Sequence, residues 1–455
     1  MPRAKKPTRR ALIPRTYLEN FKTAVRGEGI YLYDQEGKKY IDGCSGALLS
    51  SIGHGNREIA DAVYKQMTTL EFAHSSRWKT EASEEAAREL TSLAPGDLNH
   101  AWFGSGGSEA VECAMKLARN YFIERDGPGT AKSVFIARWN SYHGSTLSTM
   151  ALGGNMIRRR PYSPLFKECP KIETPYIYRS EIRDRSEHEQ AVYYSQLLER
   201  EIRRIGSQYV AAFIAEPVVG SSISASVPPE GYWQMLREIC SRYDVLLIAD
   251  EIMSGMGRTG KPFCVQHWDV VPDIMTSAKA LSGGYSPVGA AIASDKIIDT
   301  ILAGSGVFGH GHTYNANPST AAAVVATIRY MKKNNVFDNC AARGKELNEY
   351  LNKMLDIPIV GDVRGKGLIW GIELVQNKES QDPFDPARKA AALVTAECFE
   401  RGLIVYPSTG QIDGLAGDQF LLAPPLIVTP KQVTDIAERL RDGLEAASKK
   451  LLGGV

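Results

Sequence analysis

Val245-Leu246-Leu247-Ile248-Ala249-Asp250 is an unbroken apolar run that ends on a carboxylate. Downstream, Met275-Thr276-Ser277-Ala278-Lys279-Ala280-Leu281-Ser282-Gly283-Gly284 places an amine just before a glycine turn. An apolar run of this length reads as a strand covered on both faces, as in a parallel sheet packed between helices. In open α/β sheets ligands gather at the carboxyl ends of strands, and Asp250 and Lys279 both fall at such ends. A carboxylate there is costly unless paired or catalytic, and a lysine in an apolar segment is rarely covered without cause. The two groups suit the chemistry of pyridoxal phosphate. The lysine amine forms a Schiff base with the cofactor aldehyde, and the carboxylate keeps the pyridine nitrogen protonated so that the ring accepts electrons. Alone, an aspartate and a lysine carry little weight, and the surrounding segments decide the reading.

From about residue 100 onward, short apolar runs alternate with amphipathic helices. Residues 100–103, 133–137 and 210–215 read as further strands, and the last leads into Glu216-Pro217. A helix is predicted from the glycine turn to about residue 124, with Ala110, Ala114, Leu117 and Tyr121 at helical spacing, and another over 232–242. This alternation implies a parallel sheet. Residues 30–42 read as a β-hairpin around Glu36-Gly37. After about residue 325, helices over 341–354, 386–401 and 430–452 alternate with strands at 369–374 and 420–422, the pattern of a smaller α+β unit.

Three loops at predicted strand ends complete the candidate site. Gly104-Ser105-Gly106-Gly107-Ser108-Glu109-Ala110 joins a strand to a helix, so backbone amides and the helix dipole are available to a phosphate, with Gly107 and Ser108 as main contacts. A plain glycine turn capped by Ser105 or Ser108 explains the same residues. Tyr142-His143-Gly144 offers an aromatic ring to a flat cofactor, or a packed loop tyrosine. Gly255-Met256-Gly257-Arg258-Thr259-Gly260-Lys261 matches the spacing of a nucleotide-binding P-loop. However, Pro262 stands where a magnesium-binding hydroxyl belongs, and the loop follows the Asp-Glu strand directly, so an ATPase is rejected.

The 455 residues suffice for two domains; 43% are hydrophobic and 23% charged, as in ordinary globular proteins. A net charge of +2 gives no reason to expect nucleic acid. No window has the apolar length of a membrane span. The basic stretch 1–10 lacks an apolar signal core. Cys44, Cys113, Cys169, Cys240, Cys264, Cys340 and Cys398 are scattered with no CxxC pattern, which fits free thiols in a reducing cytoplasm and no metal centre.

Taken in order, these segments resemble the class III (omega-type) aminotransferases of fold type I. The matching stretches are FGSGGSEAVECAMK (103–116), Tyr142-His143-Gly144, Glu216-Pro217-Val218-Val219-Gly220 and DEIMSGMGRTG (250–260). AKALSGGYSPVGA (278–290), GHTYNANPSTAAA (311–323) and Pro424-Pro425-Leu426 continue the match. The resemblance implies an α/β fold whose large domain has a mostly parallel seven-stranded sheet flanked by helices, beside a smaller α+β domain. Residues 1–65 would join the small domain, 66–325 would form the large cofactor-binding domain, and 326–455 the small domain.

By the same resemblance, Lys279 carries the Schiff base and shuttles a proton, Asp250 meets the pyridinium nitrogen, and Ile252 and Tyr142 cover the two ring faces. Gly106, Gly107, Ser108 and His143 belong to the cofactor site, and Glu216 lies near cofactor and substrate. Thr313 reaches the phosphate of the partner subunit in a homodimer, with pairing into tetramers left open. Where many relatives have serine in the phosphate cup, this chain has Gly106.

The implied reaction is ping-pong transfer of an amino group from an omega-amino acid or amine to pyruvate or 2-oxoglutarate. A decarboxylase, racemase or aminomutase uses the same parts, and a bulky anionic substrate such as an amino-acyl-CoA is a further alternative. Many relatives carry an arginine shortly before Pro-Pro-Leu; residues 417–423 contain none. Arg77, Trp78, Leu48 and the run Arg158-Arg159-Arg160, with Arg159 as its representative, are the candidate substrate contacts.

Overall fold

The computed structural model describes residues 11–16 and 21–453; the basic stretch 1–10 lies outside the described residues. The apolar runs seen in the sequence lie side by side. A seven-stranded sheet has the order His100–Gly104, Gly289–Ala293, Ile274–Ala278, Leu246–Asp250, Val210–Ala215, Val134–Arg138 and Lys171–Ile172. From Ile274–Ala278 to Lys171–Ile172 all neighbours are parallel. Side chains on a strand alternate between faces, and here both faces are covered. Leu247, Ala249, Phe213 and Ala215 enter one core cluster, whereas Leu246, Ile248, Ala212 and Ile214 enter another. That double burial is why these strands read as continuous apolar runs instead of alternating ones.

Gly289–Ala293 is the exception in direction, antiparallel to both of its neighbours. Its sequence, Gly-Ala-Ala-Ile-Ala, has little β-propensity, and the sequence reading passed over it. It forms a strand because two apolar neighbours and the helix Gly107–Asp126 enclose it. That helix buries Ala110, Val111, Ala114, Leu117, Ala118, Tyr121 and Phe122. The helix Glu187–Ile205 starts with a capping box made by Ser186 and Glu189 and packs beside Tyr232–Arg242.

Two four-stranded sheets flank this core. Val360–Lys366, Ile369–Leu374, Asp418–Leu422 and Tyr406–Thr409 form an antiparallel sheet. The hairpin foreseen at 30–42 is Tyr31–Asp34 with Lys39–Asp42; Ala24–Glu28 extends it on one side, and Leu403–Ile404 joins in parallel on the other. Residues near the start of the chain thus share a sheet with residues beyond 400. The helix expected over 386–401 is broken: Asp385 caps a short turn, Pro386–Arg388, Lys389 takes a left-handed conformation, and the helix proper is Ala390–Glu400. The helix expected over 341–354 begins a turn earlier, at Val336–Lys353. Among the described residues no helix is long and apolar enough to cross a membrane.

Candidate active site

Four parallel strands deliver their chemistry to one place. Asp250 ends its strand, Glu216 directly follows Val210–Ala215, Tyr142 and His143 follow Val134–Arg138 by a short loop, and Lys279 follows Ile274–Ala278. All five line a cavity of about 400 Å³. Gly106, Gly107, Ser108 and Ile252 line it as well.

Lys279 has φ 48°, in the left-handed region that a non-glycine residue adopts only at a cost. The glycines at 283 and 284 also have positive φ, so the chain turns away sharply once the lysine has been presented. Burial of the amine is the main reason its pKa falls to about 8; the carboxylates of Asp250 and Glu216 oppose that fall, and the charge of Arg158 adds to it. An amine with a lowered pKa is available as a nucleophile and as a base near neutral pH.

Asp250 is held on three sides. Its Oδ2 lies 2.7 Å from Nδ1 of His143, and its Oδ1 accepts from the Ile252 amide and the Thr276 hydroxyl, both at 3.1 Å. The register pairs Asp250 directly with Thr276. Asp250 and His143 are both buried, and Nε2 of His143 has no hydrogen-bond partner among the described residues. Glu216 is buried beside them. Burial pushes its carboxyl up to about 7, with His143 opposing and Asp250 reinforcing the rise. Its backbone is pinned by Arg138, whose Nη2 donates to the Glu216 carbonyl at 2.6 Å, while Oε2 of Glu216 has no hydrogen-bond partner among the described residues.

The opposite end of the cavity is the strand-to-helix turn. The Ser105 amide donates to Glu109 Oε2 at 2.6 Å, which tightens the turn. A Cβ on Gly107 would come within 2.9 Å of Ile252 Cδ1, whereas one on Gly106 would meet nothing within 4 Å. Ser108 accepts from the Ser145 amide at 3.0 Å, and this bond ties the turn to the Tyr142-His143-Gly144 loop. The 20-residue helix Gly107–Asp126 aims its N-terminus at the cavity, a setting that favours an anion.

The residues expected to touch substrate are dispersed. Leu48 is buried, and its neighbour Leu49 lines the cavity instead. Trp78 and Arg77 are exposed and are not among the lining residues. Arg159 turns away from the cavity. It is buried, donates to Glu168 at 2.6 Å and lies near the rings of Trp139 and Phe166, so its charge is already satisfied. Thr313 is exposed on the loop that follows residue 304. Sequence reasoning missed Thr276, Met253 and Ser286. Thr276 alone carried a signal, as a hydroxyl one strand away from Asp250.

The P-loop-like segment has a structural task. Arg258 is fully covered and donates through Nη1 to the carbonyls of Leu368 and Pro424, at 3.1 and 2.6 Å.

Comparison with known proteins adds the family. The model described as "Aminotransferase class-III" matches residues 13–444. The uncharacterized aminotransferase YodT of Bacillus subtilis is 41% identical over 425 residues, covering 93% of this chain and 95% of that protein. The putrescine–pyruvate aminotransferase of Pseudomonas aeruginosa is 34% identical over 434 residues, covering 94% and 91%. The crystal structure of an (S)-enantioselective omega-transaminase from Thermomicrobium roseum superposes with a TM-score of 0.90 at 34% identity, over 96% of both chains.

Proposed function

The chain belongs to the class III aminotransferases, and from that premise we propose that it moves an amino group from a simple amine or omega-amino acid to a keto acid, with pyridoxal phosphate as resident cofactor. One observation supports this reading above the others: a left-handed, half-buried lysine and a carboxylate held by histidine share a single cavity. The groups present fit the cofactor. A glycine-serine helix N-terminus suits its phosphate, a carboxylate at a strand end suits its ring nitrogen, and an amine of lowered pKa suits its aldehyde.

When bound, the cofactor supplies the aldehyde that takes up the amino group and the ring that accepts electrons as a carbon–hydrogen bond breaks. The protein supplies the rest. Gly107 and Ser108 would hold the phosphate end, Ile252 and Tyr142 would cover the ring, and Asp250, fixed by His143 and Thr276, would meet its nitrogen. Nζ of Lys279, once free, would take up the proton lost by the amine-bearing carbon and hold it as the ammonium. Glu216, its carboxyl raised to about 7 by burial, is only partly ionised near neutral pH and can take up a proton when an anionic substrate enters. The active unit is a homodimer in which the exposed Thr313 of each protomer completes the phosphate site of the other.

The donor half of this reading draws on the 34% identical putrescine–pyruvate aminotransferase of Pseudomonas aeruginosa. The test is the absorbance of the cofactor-loaded protein as putrescine, β-alanine, γ-aminobutyrate or 1-phenylethylamine is added without acceptor. Loss of the yellow band, restored by pyruvate or 2-oxoglutarate, is the expected result. Protein that takes up no pyridoxal phosphate would overturn the cofactor assignment. Protein that stays yellow with every donor would overturn the substrate class.

A further inference from the structure

We infer that Arg158 is the group that receives the carboxylate of an amino-acid or keto-acid substrate in this cavity, an inference that rests on the aminotransferase reading above. The three consecutive arginines have different fates. Arg160 is exposed, Arg159 is buried against Glu168, and Arg158 is half-buried with no carboxylate ion-paired to it among the described residues. Its guanidinium carbon lies 4.5 Å from the ring centroid of Tyr142, a cavity-lining residue, and its Nη2 donates to the Tyr406 hydroxyl at 3.3 Å. A guanidinium drawn partly out of water pays for desolvation unless an anion meets it. Here a cation outside the lining itself is held next to the lining residue Tyr142 by an aromatic face and a hydroxyl, and among the described residues its Nη1 and Nε make no hydrogen bond.

The position of Arg158 is built in. The Asn155 side chain accepts from the Arg158 amide at 3.2 Å and caps the short helix Met156–Arg159. Ile157 and Met156 of that helix pack so closely on Gly410 and Gly414 that a Cβ at either glycine would collide with them. Tyr406, the hydroxyl partner, lies opposite Leu421 in the small sheet, and residues 417–423 of that region supply no cation of their own. Arg158 is also close enough to Lys279 for its charge to bear on the amine. The same contacts argue for a carboxylate over a polyphosphate such as coenzyme A. A phosphate-rich group needs several free cations, and Arg159 is already neutralised by Glu168.

The test uses cofactor-loaded full-length protein and a probe that cannot be transaminated. Calorimetry gives the affinity for butyrate and for its neutral isostere butyramide. The unaltered protein is expected to prefer butyrate by about tenfold or more, the scale of a charge-assisted pair. In Arg158→Gln that preference falls toward unity; in Arg158→Lys, which keeps the charge but loses the planar fork, part of it remains. The same variants are expected to raise the KM for pyruvate with a smaller effect on kcat. An unaltered preference in Arg158→Gln would overturn the inference. So would unaltered protein that does not distinguish the two probes, or variants that lose bound cofactor, which would make Arg158 a support for Tyr142. Butyrate binding needs no amino transfer, so failure of the aminotransferase reading shows separately, as an unaltered protein that no amine bleaches.

Discussion

At the scale of single residues, the site pairs groups whose environments drive them in opposite directions. Burial lowers the Lys279 amine to about 8 and raises the Glu216 carboxyl to about 7, so both sit near the pH at which a proton must move. Lys279→Ala is expected to cut amino transfer by about 10²–10⁴-fold or more while moving the Tm by only a few degrees, because the lysine's contacts serve chemistry more than packing. A variant keeping more than about a tenth of the activity would remove Lys279 from the reaction. Glu251, next to Asp250 but outside the cavity lining, gives a stability test. Burial raises its carboxyl from 4.5 to about 7, although Ser254 Oγ and the Val265 amide both donate to it. A carboxyl whose folded pKa is raised costs nothing below its unfolded pKa; its penalty grows as pH climbs from about 4.5 to about 7 and is constant above. Glu251→Gln removes that penalty, on the order of 3 kcal/mol at full ionisation. Chemical denaturation between pH 4.5 and 7 should therefore show a flatter loss of stability in the variant than in the unaltered protein. Parallel curves would mean that Glu251 is ionised without penalty.

At the scale of elements, the antiparallel strand Gly289–Ala293 and the glycine turn depend on one close approach. A Cβ on Gly289 would run into the Gly106 carbonyl, so the strand can reach the sheet only with glycine there. Gly289→Ala is expected to push the turn out of place, lowering both stability and affinity for pyridoxal phosphate. Gly106→Ser should be accommodated within about 0.5 kcal/mol, since that Cβ meets open space and the backbone there is extended. Equal melting temperatures and equal cofactor affinities for the two variants would contradict this account. The contrast also marks what the sequence made legible. Val210–Ala215 and Leu246–Asp250 announced themselves because strands buried on both faces must be apolar throughout. Gly289–Ala293 stayed silent because close backbone approach selects small residues, which erases the usual strand signal. Likewise Asp250, Lys279 and the glycine turn stood out by position, whereas the distinct fates of Arg158 and Arg159 depend on Glu168 and Tyr406, whose proximity no local spacing reveals.

At the scale of the whole molecule, the cavity floor is tied to segments far away in the chain. The loop after Asp250 carries Arg258, whose Nη1 donates to Leu368 and Pro424 carbonyls and whose Nη2 donates to Ser45 Oγ at 3.3 Å. One side chain thus joins the strand-end loop of the seven-stranded sheet to the N-terminal region and to the Pro-Pro segment. The opposing sequence cue, a P-loop spacing, was real as a pattern but selected for turns that let this arginine go inward. Hydrogen bonds from a charged group are each worth about 1.5–3 kcal/mol, and a buried guanidinium left without them is costlier still. Arg258→Lys keeps the charge but cannot span three acceptors. It is expected to destabilise the protein by about 2–5 kcal/mol, and to do so first where the tie acts. In unaltered protein, loss of cofactor absorbance and loss of far-ultraviolet circular dichroism should coincide along a denaturant series. In Arg258→Lys the cofactor signal should fall at lower denaturant than the secondary structure, because the cavity floor loosens before the sheet melts. Coincident transitions at an unshifted midpoint would show that the segments are held together by apolar packing alone, and that Arg258 is a passenger in it.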